Sequence, residues 1–227
     1  MLLLCSDKKQ KHMKTFFLSL AAILFCNPLL AQSDAGMSTK TTVYKDFQPA
    51  IIVLSNGKSI TEKQANIFLK NGSLLYKHNK SIMQANMENV SSVRFSDRSY
   101  LRIDTLLAYV VDTLKTNKLL CATLIDMESY ANQIVNDRQI TNLELGGHVN
   151  ISSIDNYLSD DIKYPLVNYF FFEIDGKVIK AHERTLKKAL PKAKQRMFNA
   201  IIQSPEFHWG EVESLTRILK LFDVEVS

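Results

Sequence analysis

Cysteine is nearly absent from this chain. Three occur in 227 residues, and two of them, Cys5 and Cys26, lie within the first 31. Without that segment Cys121 stands alone, so an internal disulfide and a cysteine-pair zinc site are both excluded. Glycine is scarce as well, with seven residues, and no two have the spacing of a dinucleotide fingerprint or a phosphate loop. The hydrolase elbow Gly-x-Ser-x-Gly is missing. His182-Glu183 begins a zinc-protease pattern, but Leu186 stands where the second histidine is required. Hydrophobic residues make 46% of the chain and charged residues 22%. That balance is globular and excludes a disordered, collagenous or multi-span membrane protein.

The first 31 residues carry an address. Lys8, Lys9, Lys11 and Lys14 precede an apolar run from Phe16 to Phe25, and Leu29-Leu30-Ala31 ends in a small residue ahead of Gln32. A run of about ten apolar residues is too short to span a bilayer and fits a secretory signal. Met13 is itself a complete start for such a signal. Phe25 before Cys26 disfavours lipidation, which needs a small residue at that place. The formal charge of +5 is mostly the signal's, because removing four Lys and one Asp leaves 24 basic and 22 acidic side chains. A nucleic-acid footprint is therefore not expected, and no membrane span is expected after the signal. Residues 32–46, polar and small, read as a flexible leader.

Residues 47–180 read as successive strands. Ala50 to Leu54 is followed by Asn56-Gly57. Asn66 to Lys70 and Ser73 to Lys77 flank Asn71-Gly72. Asn-Gly between apolar runs signals a hairpin with a type I′ turn, which needs positive φ at both central residues. Further runs cover Val90–Phe95, Tyr100–Asp104, Ala108–Asp112 and Lys118–Ile125. Residues 129–162 read as strand or loop. Leu166–Ile174, Asp175-Gly176 and Lys177–Lys180 form a closing hairpin, whose Tyr169-Phe170-Phe171-Phe172 places two aromatics on each face as core. Residues 181–227 read as helices. Pro191 separates Glu183–Ala189 from Lys192–Gln203, since proline lacks the donor a helix interior needs. Ala193, Met197, Ala200 and Ile201 are assigned to the apolar face of the second. Val212, Leu215, Ile218, Leu219 and Phe222 stripe a last helix. The expected fold is α+β, a mainly antiparallel sheet or small barrel over about 47–180 followed by helices.

Two features are candidates for binding. Residues 177–196 hold eight cations against Glu183 alone, and Lys187, Lys188, Lys192 and Lys194 are the expected contacts for an anionic lipid surface, a glycan or an acidic envelope protein. His148, after Gly146-Gly147, is a second candidate. Asp97, Asp104, Asp126, Glu128, Asp160 and Asp161 are the carboxylates available for glycosidase-type chemistry. Cys121, in the apolar run Leu119–Leu124, reads as a buried small hydrophobe. No cofactor and no metal is implied.

The Lys14-rich signal ending at Ala31-Gln32, the strands around Phe68-Leu69-Lys70-Asn71-Gly72, and Asp175-Gly176-Lys177 running into Leu190-Pro191-Lys192 together resemble exported proteins of unknown function from Bacteroidota. The resemblance implies a location in the periplasm or at the outer membrane and no catalytic residues. The expected function is binding of a partner or ligand in the cell envelope, including an accessory role in assembling a surface complex. A small envelope hydrolase acting on glycan or peptidoglycan is the alternative.

Overall fold

The computed structural model describes residues 33–137 and 163–223. The signal segment, His148, Asp160 and Asp161 lie outside them. The elements in chain order are β1 (Ser33–Ser38), β2 (Gln48–Leu54), β3 (Ser59–Ile67), β4 (Leu74–His78), β5 (Ser81–Gln84), a 3-10 turn (Met87–Asn89), β6 (Val90–Arg94), β7 (Ser99–Ile103), β8 (Leu106–Leu114), β9 (Asn117–Ile125), α1 (Met127–Asp137), β10 (Tyr164–Ile174), β11 (Lys177–Lys180), α2 (Glu183–Ala189), α3 (Lys192–Ile202) and α4 (Val212–Asp223).

One antiparallel sheet takes in the eleven strands of the described residues, in the order β1-β10-β9-β8-β7-β6-β2-β3-β4-β5, with β11 also on β10. β9 covers one edge of β10 from Leu166 to Glu173. β1 and β11 share the other, β1 against Tyr164–Asn168 and β11 against Phe171–Ile174. The fold is α+β, and its sheet is not closed into a barrel.

The sheet nevertheless curls strongly. The turn between β3 and β4 lands on strands four and five places away: Leu107 N–H donates to the Gly72 carbonyl and Ile125 N–H to that of Leu69, both at 2.8 Å. Gly72 has φ +70°, and a Cβ there would lie 2.7 Å from Leu106 Cβ. Only glycine supplies both that backbone and that approach.

Residues 33–46, expected to be a flexible leader, form β1 and then a strap along β3. Val43 N–H donates to the Ile67 carbonyl at 3.0 Å. Buried Asn66 clamps the strap, its Oδ1 accepting from Tyr44 N–H (3.1 Å) and its Nδ2 donating to the Tyr44 carbonyl (2.8 Å). Those bonds satisfy a buried amide and draw a polar-looking segment into the fold.

Other departures have local causes. β3 begins at Ser59, through polar residues that alternation did not flag, because much of its first half is exposed. Both Asn-Gly dipeptides turn the chain, but only their glycines are left-handed. The double positive-φ pairs are Asn79-Lys80 and Asp175-Gly176. Residues 127–137 are helical, not strand or loop. Asp126 caps this helix, its Oδ1 accepting from Ser129 N–H (3.0 Å) while Ser129 Oγ donates to its Oδ2 (2.6 Å).

Two buried clusters lie on the inner face of the sheet. In one, Leu215, Ile218 and Leu219 of α4 and Phe198 of α3 pack on Leu119, Phe170 and Phe172. The stripe on α4 is as expected, and each fully buried aliphatic is worth roughly 1.5–3 kcal/mol. In the other, Ile52, Ile67, Leu74, Val93 and Leu107 fill the curl. Tyr109 packs against both. Of the four consecutive aromatics, Phe170 and Phe172 are core, whereas Tyr169 and Phe171 are half-buried on the other face.

Candidate functional site

The basic segment runs through β11, α2 and α3. β11 leads into α2, where His182 Nδ1 accepts from Arg184 N–H (3.3 Å) as a cap. Leu186 and Leu190 are buried and anchor the segment. Lys177, Lys180, Arg184, Lys188, Lys192 and Arg196 are exposed and Lys187 is half-buried. None forms an ion pair with a described carboxylate; the three such pairs are Arg98–Asp97, Lys115–Asp223 and Lys118–Glu173.

Lys194 does not belong to that surface. It is buried, and its Nζ donates to the Phe222 carbonyl at 3.3 Å. The inward arc of α3 is Lys194, Phe198, Ile201 and Ile202, and Ala193, Met197 and Ala200 face out. The expected apolar face of α3 is thus rotated. Phe198 takes the core position, and the lysine one turn earlier follows it inward to reach the carbonyl end of α4, where a cation is favoured.

A second constellation, not singled out from the sequence, lies inside the curl. Strand register sets Val93, Tyr100, Tyr109, Cys121 and Phe170 in one row across β6 to β10. Tyr44 comes from the strap, and Asp97 and Arg98 from the loop between β6 and β7. Tyr44 OH donates to Asp97 Oδ1 at 2.8 Å and lies 3.4 Å from Tyr100 OH. The Arg98 guanidinium sits 4.9 Å from the centre of the Tyr109 ring. Its Nε is 3.6 Å from Asp97 Oδ2, an ion pair beyond hydrogen-bond range. Behind Arg98 is a cavity of about 30 Å³, with Tyr100, Tyr109, Cys121 and Thr123 among its walls. That is space for one or two water molecules.

Burial keeps this interior neutral. The Tyr44, Tyr100 and Tyr109 hydroxyls are all raised above the ordinary phenol value, chiefly by desolvation. Desolvation also pushes the Cys121 thiol up to about 11, although Tyr109 and Thr123 partly oppose it. Cys121 is buried, as its apolar run implied. The hydroxyls are donors, and Arg98 is the cation at the mouth.

Of the carboxylates that the sequence offers, Asp126 caps α1, Asp97 joins the tyrosines and Asp104 sits in a left-handed turn. Among the described residues no three His, Cys, Asp or Glu side chains converge as a metal site would require. The sequence signal for the interior cluster was slight: tyrosines at matching strand positions and an Asp-Arg pair between two strands. Comparison with known protein families, curated proteins and solved structures finds no match for this chain.

Proposed function

We propose that this protein is exported to the cell envelope and works by binding, with the α2–α3 side docking on an anionic lipid surface. The observation that carries the reading is a set of seven cations, exposed or half-exposed and without described counter-ions, along β11, α2 and α3. Such charge is attracted to anionic headgroups by about 1 kcal/mol per side chain near the surface. Exposed Met197, with Ala193 and Ala200 beside Lys192 and Arg196, adds the apolar contact that interfacial helices use. A polyanionic glycan offers charge without an apolar layer. The signal-like first 31 residues support delivery to the envelope.

The test is co-sedimentation of the mature protein with vesicles of neutral lipid, with and without an anionic lipid. Binding is expected only with the anionic lipid and is expected to weaken with salt. Replacing Lys187, Lys188 and Lys192 with Glu should abolish it, whereas Lys194→Met should leave it unchanged. Retention of the triple variant at low salt overturns the reading. Capture on an anionic polysaccharide but not on vesicles assigns the surface to glycans instead.

A further inference from the structure

We propose that the mouth of the curled sheet is a carboxylate-binding site, with Arg98 as its anchoring cation and the Tyr100 hydroxyl as a second donor. This site is separate from the basic helical surface and does not depend on it. The guanidinium sits over the Tyr109 ring, 4.9 Å from its centre, a cation–π contact that holds it at the cavity. Its pair with Asp97, at 3.6 Å through Nε, is beyond hydrogen-bond range, and the half-exposed guanidinium beside Tyr100 can turn its terminal nitrogens to an incoming anion. An arginine fork matches the two oxygens of a carboxylate.

The neighbouring groups complete the arrangement. Asp97 is already engaged by Tyr44 at 2.8 Å. Among the described residues the Tyr100 hydroxyl has the long 3.4 Å contact to Tyr44 as its acceptor, so an arriving carboxylate oxygen offers its proton a better one. The cavity behind Arg98, about 30 Å³, holds one or two waters. Two carboxylate oxygens take similar room. The remainder of the ligand stays outside, so the site selects an end group. Both a small free carboxylate and the C-terminus of a peptide supply that group.

The experiment is NMR titration of the mature protein at constant ionic strength with acetate, with acetamide, and with one tripeptide carrying a free or an amidated C-terminus. Acetate is expected to shift the Arg98, Tyr100 and Tyr109 signals saturably, and acetamide to have no such effect. A free tripeptide binding at least tenfold more tightly than acetate, with the amidated form silent, identifies the peptide terminus as the source. Equal affinity identifies the small carboxylate. Arg98→Gln should abolish binding. Tyr100→Phe, which keeps the ring, should weaken it several-fold. Asp97→Asn removes the anion paired with Arg98 and should tighten it, a sign that a merely structural role for the loop would not give. Equal responses to acetate and acetamide, or acetate binding undiminished in both Arg98→Gln and Tyr100→Phe, would overturn the proposal.

Discussion

Gly72 and Gly57 are both glycines of Asn-Gly dipeptides, and both have positive φ. Their surroundings differ. A Cβ on Gly57 meets nothing within 4 Å, whereas one on Gly72 lands 2.7 Å from Leu106 Cβ. Gly57→Ala is therefore expected to cost about 1 kcal/mol, from backbone strain alone. Gly72→Ala adds the displacement of β8 and should cost about 2 kcal/mol more. Urea unfolding of the two variants measures the difference, and equal losses would mean that the contact with Leu106 yields without cost. Lys194 carries the same lesson in another form. The composition around it says solvated charge, yet its neighbour Phe198 sets the rotation of α3 and takes it inside.

Helix α1 shows how a single cap decides an element. The sequence after Ile125 lacks a clean apolar stripe, and only the Asp126–Ser129 exchange marks the start. Tyr130 then packs on Tyr164 with ring centres 5.1 Å apart, which ties the helix to β10. Asp126→Ala should destabilise the protein by about 1 kcal/mol in chemical denaturation. Hydrogen bonds from Ser129 and Glu128 hold the Asp126 carboxyl below its usual value. Its contribution is accordingly present above the unfolded carboxyl range, near pH 4, and fades as pH falls through the lower folded value. An Asp126→Ala protein should converge with the parent at strongly acid pH; a constant difference would show that the cap works by packing and not by charge. α4 is the contrasting case. Its stripe was evident from spacing alone, because Leu215, Ile218 and Leu219 all find the sheet.

At the scale of the molecule, one sheet joins two cores, and the interior between them is built to stay uncharged. Cys121, Tyr44, Tyr100 and Tyr109 all hold their protons more tightly in the fold than free groups do. Ionisation is therefore easier in the unfolded chain. Stability is full below the unfolded thiol value of 9.0 and is lost as pH rises toward the folded value of about 11. The tyrosines steepen the loss above their unfolded value of 10.0. The melting temperature should be level from pH 7 to 8.5 and fall steadily above pH 9, with Cys121 alone removing about 1.4 kcal/mol of stability per pH unit between its unfolded and folded values. A flat profile to pH 11 would place these groups in contact with water. Cys121 should also resist a thiol reagent in the native protein at pH 8 and react fully in denaturant.

The boundaries of α2 and the hairpin at Asp175-Gly176 were legible in the sequence, as was the docking stripe on α4. So was the burial of Cys121. These features rest on interactions within a few residues: proline's missing donor, a turn's backbone, an apolar repeat at helical spacing. The curl, the strap, the inward turn of Lys194 and the row that sets Tyr100 beside Tyr109 were decided only by tertiary structure. Each depends on register between strands or on a contact between segments far apart in the chain. Pairings of that kind are chosen by which arrangement buries the most apolar surface while leaving no buried amide unpaired, and no local pattern encodes the outcome.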